Sequence, residues 1–219
     1  MTNLYQQLET PAPPDLPSPG QTYDERLTAQ THRGLLVYFR KLTNILSTVL
    51  GPRGGKYLNL PYGAFQDGTD QTATANTATV MTFNTTDFSN GVNVVTSGGK
   101  ASRITVSQAG IYNLQWSGQF QNTDTQLHDV SVWLRQNGTD IVGSTGLISI
   151  PNSHGGIDGH TIAGWNYFLQ LAENDYIELY WSTPNTAVSI QFYAAGTSPT
   201  RPTTASLIAT VSFVSNLSA

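Results

Sequence analysis

Between Gly110 and Gln121 the chain reads GIYNLQWSGQFQ, and its residues sort by parity into two classes. Tyr112, Leu114, Trp116 and Phe120 share one face of an extended strand, while Asn113, Gln115, Ser117, Gln119 and Gln121 share the other. A helix would scatter both sets around its circumference, so this spacing predicts a half-buried β-strand. The same period of two recurs in HDVSVWLRQ, HTIAGWNYFLQL and DYIELYWS. Strands are expected over about 62–66, 78–84, 92–96, 102–107, 111–121, 129–136, 160–171, 175–182, 187–194 and 205–215. Asn137-Gly138 marks a tight hairpin and AENDY a second polar turn.

Short strands packed into one block predict an all-β sandwich, with a jelly roll as its form. Several strands carry apolar side chains on both faces. Trp133 opposes Val130, Val132 and Leu134; Tyr180 opposes Ile177, Leu179 and Trp181; Trp165 and Tyr167 oppose Ile162 and Phe168. A sandwich has one inner face per sheet, so the second set needs another place to be buried. Association of the β-bodies supplies it. The polar face of 110–121 fits the same picture, because amides and hydroxyls bond across a subunit contact without the desolvation cost of ions. An ordinary solvent-facing strand, which tolerates Asn and Gln, is the plainer alternative.

Charged residues make up only 11% of the 219-residue chain, against about 25% in an average domain. Their distribution is uneven. Arg26, Arg33, Arg40, Lys41, Arg53 and Lys56 lie in 26–56 with no Asp or Glu, whereas 61–219 holds four basic and ten acidic side chains. A basic foot thus precedes an acidic body, and the two are expected to face different surroundings.

The foot has two parts. In TPAPPDLPSPGQ, Pro11, Pro13, Pro14, Pro17 and Pro19 exclude a helix over 1–23, leaving either a disordered tail or an extended arm lying along a partner. Asp24 and Glu25 then start a helix that runs to Gly51-Pro52. Leu35, Leu42 and Val49 are seven apart, with Tyr38 and Ile45 three residues after the first two, which makes a short a/d seam. Leu36, Phe39, Leu46 and Leu50 widen it. Three readings stand: a short coil between copies, a helix packed on its own domain, and a basic membrane-surface helix, the last weakened by few cations and no Trp. Residues 52–61 read as a hinge and 62–219 as the β domain.

No chemistry stands out. The chain has no cysteine, which rules out disulfides and thiolate sites. His154, Asp158 and His160 gather in NSHGGIDGH, but their spacing matches no common metal motif and a polar loop explains them. Ser144 in VGSTG lacks the first Gly of a nucleophile elbow. Glu173, Asp175 and Glu178 sit in a turn-and-strand pattern that folding explains. We expect no enzyme, cofactor or metal. The foot has too few charges and no aromatic interleaving for nucleic acid, so an acidic protein surface is the expected partner. The start, MTNLYQQLETPAPPDLP, carries no basic-then-apolar leader pattern, and no apolar run is long enough to span a membrane, giving the expectation of a soluble chain made in a cytosol.

Gly110-x-Tyr112-x-Leu114-x-Trp116 resembles the G-x-Y-x-F-x-F/Y strand signature of the complement C1q and tumour-necrosis-factor-like jelly rolls. RQNGTDI is similar to the family's next strand and hairpin, and FLQLAENDYIELYW resembles its L-x-x-G-D-x-V-x-L element, with Asn174 where Gly is usual and Ile104 where an upstream Phe is expected. TFNTTDFSNGV, WLRQNGTD and GHTIAGWNYFL are similar to jelly-roll modules in structural proteins of tailed bacteriophages. The resemblance covers about residues 62–215. It implies a homotrimer whose aromatic faces meet around a threefold axis, with Trp133, Trp165, Tyr167, Tyr180 and Trp181 as interface candidates beside the helix seam Leu35, Tyr38, Leu42, Ile45 and Val49. It further implies a virion protein assembled in a host cytoplasm, held to the major capsid protein or another virion component. Pro11, Pro13, Pro14, Pro17, Arg26, Arg33, Arg40, Lys41 and Arg53 are the expected anchor. Capsid decoration, a head fibre, and a tail-fibre module binding host-surface glycan are the roles this leaves.

Overall fold

A computed structural model describes residues 13–16, 18, 22–50 and 60–216, and the chain divides into two compact units, 1–59 and 60–219. Pro11, Pro17 and Arg53, and the side chain of Val49, lie outside the described residues. Among the described residues of the first unit one helix, α1, spans Glu25–Leu50. It starts as the sequence predicts: Asp24 Oδ1 accepts the backbone N–H of Arg26 at 2.8 Å and of Leu27 at 3.3 Å, which satisfies donors no helical carbonyl can reach.

The second unit is built from antiparallel strands in two main sheets. In chain order they are β1 (Tyr62–Asp67), β2 (Gln71–Thr72), β3 (Thr79–Val80), β4 (Thr85–Asn90), β5 (Val92–Ser97), β6 (Lys100–Val106), β7 (Gly110–Asn122), β8 (His128–Gln136), β9 (Thr139–Asp140), β10 (Gly146–Ile150), β11 (Gly159–Leu171), β12 (Tyr176–Ser182), β13 (Val188–Ile190), β14 (Gly196–Thr197), β15 (Thr200–Arg201) and β16 (Leu207–Ser215). One sheet runs β2-β13-β7-β16-β1-β4, with β11 on the other edge of β7. The other runs β10-β8-β12-β6-β5, and β14-β15 form a separate ribbon.

The alternation in 110–121 does what its parity requires. Tyr112, Leu114, Trp116 and Phe120 are buried, as are Val130, Val132 and Leu134 of β8, Ile177, Leu179 and Trp181 of β12, and Leu207, Ala209 and Val211 of β16. Phe120 and Trp181 join the two sheets edge to face at 5.9 Å. Each fully buried Val, Leu, Ile or Phe among them contributes roughly 1.5–3 kcal/mol.

Two differences from the expected strands have local causes. Thr85–Asn90 forms β4 although TTDFSN is poor in β-formers, because it pairs with β1 through Tyr62↔Asn90 to Gln66↔Thr85 and sets Phe88 against Tyr62. The strand expected over 187–194 stops at Ile190, and the chain leaves the sheet as the excursion carrying β14 and β15. Asn137 and Gly138 take φ of 52° and 82°, the left-handed pair that a two-residue hairpin demands. Asn174 turns at φ 67°.

A fully buried carboxylate fastens the first strand. Asp67 Oδ1 accepts Thr69 N at 2.8 Å and Asn84 Nδ2 at 2.9 Å, Oδ2 accepts Thr82 Oγ1 at 2.9 Å, and its carbonyl accepts Ser206 N at 2.9 Å just before β16. These neutral donors replace the water that burial removes.

Candidate functional site

The aromatic residues singled out as one interface set are dispersed. Trp181 is fully buried. It is consumed by its own core and is withdrawn as an interface residue. Trp165 and Tyr167 also point inward, half-buried near the sheet margin: Trp165 meets Trp116 at 4.5 Å and 69°, and a Cβ on Gly146 would come within 2.5 Å of the Trp165 ring. Trp133 and Tyr180 do lie outside, on the second sheet, paired across β8 and β12 and stacked at 5.9 Å.

That outer pair is covered from within the chain. The Arg135 guanidinium lies 3.9 Å from the centre of the Tyr180 ring, and both Arg135 and the Trp133 indole donate to Asp140 Oδ1. These bonds, Arg135's first, hold the Asp140 carboxyl below the usual carboxylate range, and Asp140 raises Arg135 in return. Arg103 covers Tyr176 in the same way at 4.1 Å. The second sheet's outer face is therefore aromatic but capped by charge.

The outer face of the first sheet is different. Ile162, Gly164, Asn166, Phe168 and Gln170 of β11, Ile111, Asn113, Gln115, Ser117, Gln119 and Gln121 of β7, and Ile208, Thr210 and Ser212 of β16 include no Asp, Glu, Lys or Arg. Register arranges them in rows: Gly164–Ser117–Ile208, Asn166–Gln115–Thr210 and Phe168–Asn113–Ser212. Ile162 is 67% exposed, Phe168 63% and Ile208 44%. The inward and outward assignments on β11 are thus the reverse of those expected: the larger Trp165 and Tyr167 fill the sandwich edge, and Ile162 and Phe168 face out. The amides of 110–121 form the polar middle of an uncharged patch with apolar flanks. Among the described residues no strand pairs with the far edge of β11.

One end of this face is closed by a hydrogen-bonded row that the sequence did not reveal. Tyr193, in the excursion after β13, places its hydroxyl 3.0 Å from Gln121 Oε1 and 3.1 Å from His160 Nδ1, and Gln121 Nε2 donates to Asp158. Burial, then the nearby Asp158 and Asp70, raise the Tyr193 phenol, so it stays a donor. At the β7–β8 loop, Asp124 Oδ2 meets His128 Nε2 at 2.7 Å and accepts Asn185 Nδ2 at 2.9 Å; the His128 bond is the main reason its carboxyl titrates low.

Among the described residues no three His, Cys, Asp or Glu are grouped closely enough to hold an ion. His154 N and Ile157 O pair at 2.9 Å around Gly155 and Gly156, which take φ of 61° and 81°, so these two glycines serve a tight turn.

On the helix, Leu35, Tyr38, Leu42 and Ile45 form one stripe and are each half-buried. Leu36, Val37, Phe39 and Leu46 are exposed, as are Arg26, Arg33, Arg40 and Lys41. No described side chain of α1 is fully buried. No described helix is long and apolar enough to cross a membrane. No protein-family model matches the chain, and no curated protein matches it.

Proposed function

We propose that the protein is a non-enzymatic virion structural subunit of a phage: a homotrimer whose jelly-roll bodies associate, attached through its N-terminal segment and helix to the capsid as a decoration or head-fibre protein. The observation that carries the association is the uncharged outer face of β11, β7 and β16, with Ile162, Phe168 and Ile208 left in water. Burying that face desolvates amides and hydroxyls but no ion.

The strand order supports the jelly-roll reading. From β6 onward the main strands alternate between sheets, β6, β7, β8 and then β10, β11, β12 and β16, except where β8 passes to its neighbour β10. Asn174 supports it too, because its left-handed backbone occupies the place where the resembled element carries Gly. The capsid assignment rests on the sequence resemblance and on the contrast between basic foot and acidic body.

Light scattering of the full chain after gel filtration tests the reading. The expected mass is three times the 23.7 kDa of one chain. A monomer at micromolar concentration overturns it.

A further inference from the structure

Beside the helix, the segment Pro14–Leu16 forms one wall of a groove whose other side is Gln30, Arg33, Gly34, Val37, Tyr38 and Lys41, enclosing about 390 Å³. Gly34 lies where the two walls come close, since a Cβ there would make ordinary contact with Leu16 Cδ2 at 3.5 Å. The floor is apolar, with Val37 46% exposed. Arg33 and Lys41, eight residues apart and so about 12 Å along the axis, are both exposed, and neither forms an ion pair among the described residues. Asp15 is the single carboxylate on the rim.

We infer that this groove docks an acidic segment of a partner protein, one apolar side chain entering over Val37 and Tyr38 while carboxylates meet Arg33 and Lys41. Charge complementarity selects that occupant. A second copy of the helix would set cation against cation, because α1 carries Arg26, Arg33, Arg40 and Lys41 against the one carboxylate of Glu25 in its first turn. A nucleic acid would gain two phosphate contacts and lose solvent at an apolar floor, too little for useful affinity. The inference rests on the attachment role proposed above and names the chemistry of what is gripped.

The test uses the full chain and a short fluorescein-labelled Glu/Leu peptide, with its Gln/Leu counterpart as control, read by fluorescence anisotropy. The Glu/Leu peptide is expected to bind, weakening as salt rises, and the Gln/Leu peptide to bind at least ~10-fold more weakly. R33E/K41E should lose at least ~10-fold in affinity. Gly34→Trp, which fills the groove while keeping both cations, should lose binding with its helical circular dichroism intact, and K100E on the β unit should bind as the parent does. Equal binding by R33E/K41E, an equal loss in K100E, or displacement of the peptide by an oligonucleotide overturns the inference. Light scattering on the same samples separates the two ideas: a monomer that still binds peptide through Arg33 and Lys41 removes the trimer and keeps the groove, whereas a trimer indifferent to the peptide removes the groove alone.

Discussion

Trp116 and Trp165 face each other across the β7–β11 ladder, their ring centroids 4.5 Å apart and their planes at 69°. Gly146 of β10 leaves room for the Trp165 ring, since a Cβ would stand 2.5 Å from it. Gly146→Ala is therefore expected to displace the indole and cost about 1–3 kcal/mol, a fall of several degrees in melting temperature with a shift in tryptophan emission. An unchanged melt and spectrum would show that the ring has space the structure denies it.

Asp67 gives a second test. Its carboxylate takes bonds from Thr69, Thr82 and Asn84 inside the unit, and Asp67→Ala strands those donors without water. The expected loss is ~2–4 kcal/mol in urea unfolding. Asp87→Ala, an exposed carboxylate on β4, serves as the control and should change stability by less than about 1 kcal/mol.

Placing charge on the uncharged face separates association from folding. I162E/F168E introduces two carboxylates at positions already open to water, so the unassociated β unit should keep its β-sheet circular dichroism. Under the proposed trimeric assembly the full chain should fall to a monomer by light scattering. Retention of the parent mass would place the contact elsewhere, and the capped pair Trp133 and Tyr180 would be the next surface to charge.

The turn before β12 carries a pH signature. Burial pushes the Asp175 carboxyl up, but the Ala172 N–H at 2.9 Å, Asn137 Nδ2 at 2.7 Å and Gln136 Nε2 at 3.0 Å outweigh it and leave the group below its ordinary value. A depressed folded pKa means stabilisation that is complete above the unfolded value of about 3.9 and is lost as pH falls through the lower folded one. Melting temperature should fall below about pH 4, and D175N should flatten that part of the profile while melting lower at neutral pH. Parallel profiles would remove Asp175 as a contributor.

The sequence carried the sheet but not the orientation of its outer strands. Period-two spacing assigns Trp165 and Ile162 to opposite faces without saying which face is inside, because parity is symmetric under exchange of the two. The second apolar face suggested that Trp165 and Tyr167 needed a subunit partner, yet the margin beside Gly146 holds Trp165 within one chain. The start of helix α1 was legible to within a residue, since the Asp24 cap is local chemistry. The row from His160 through Tyr193 to Gln121 was not, because it joins residues from three separate parts of the chain.

Strand β1 opens the β unit and lies between β4 and β16, with the Pro61 carbonyl accepting Phe213 N at 2.9 Å where the chain enters. Tension on the chain ahead of Leu60 pulls that strand lengthwise, and two ladders resist it together in shear instead of parting bond by bond. A load arriving at the leading end of the β unit is thereby shared between the neighbours on both sides of β1.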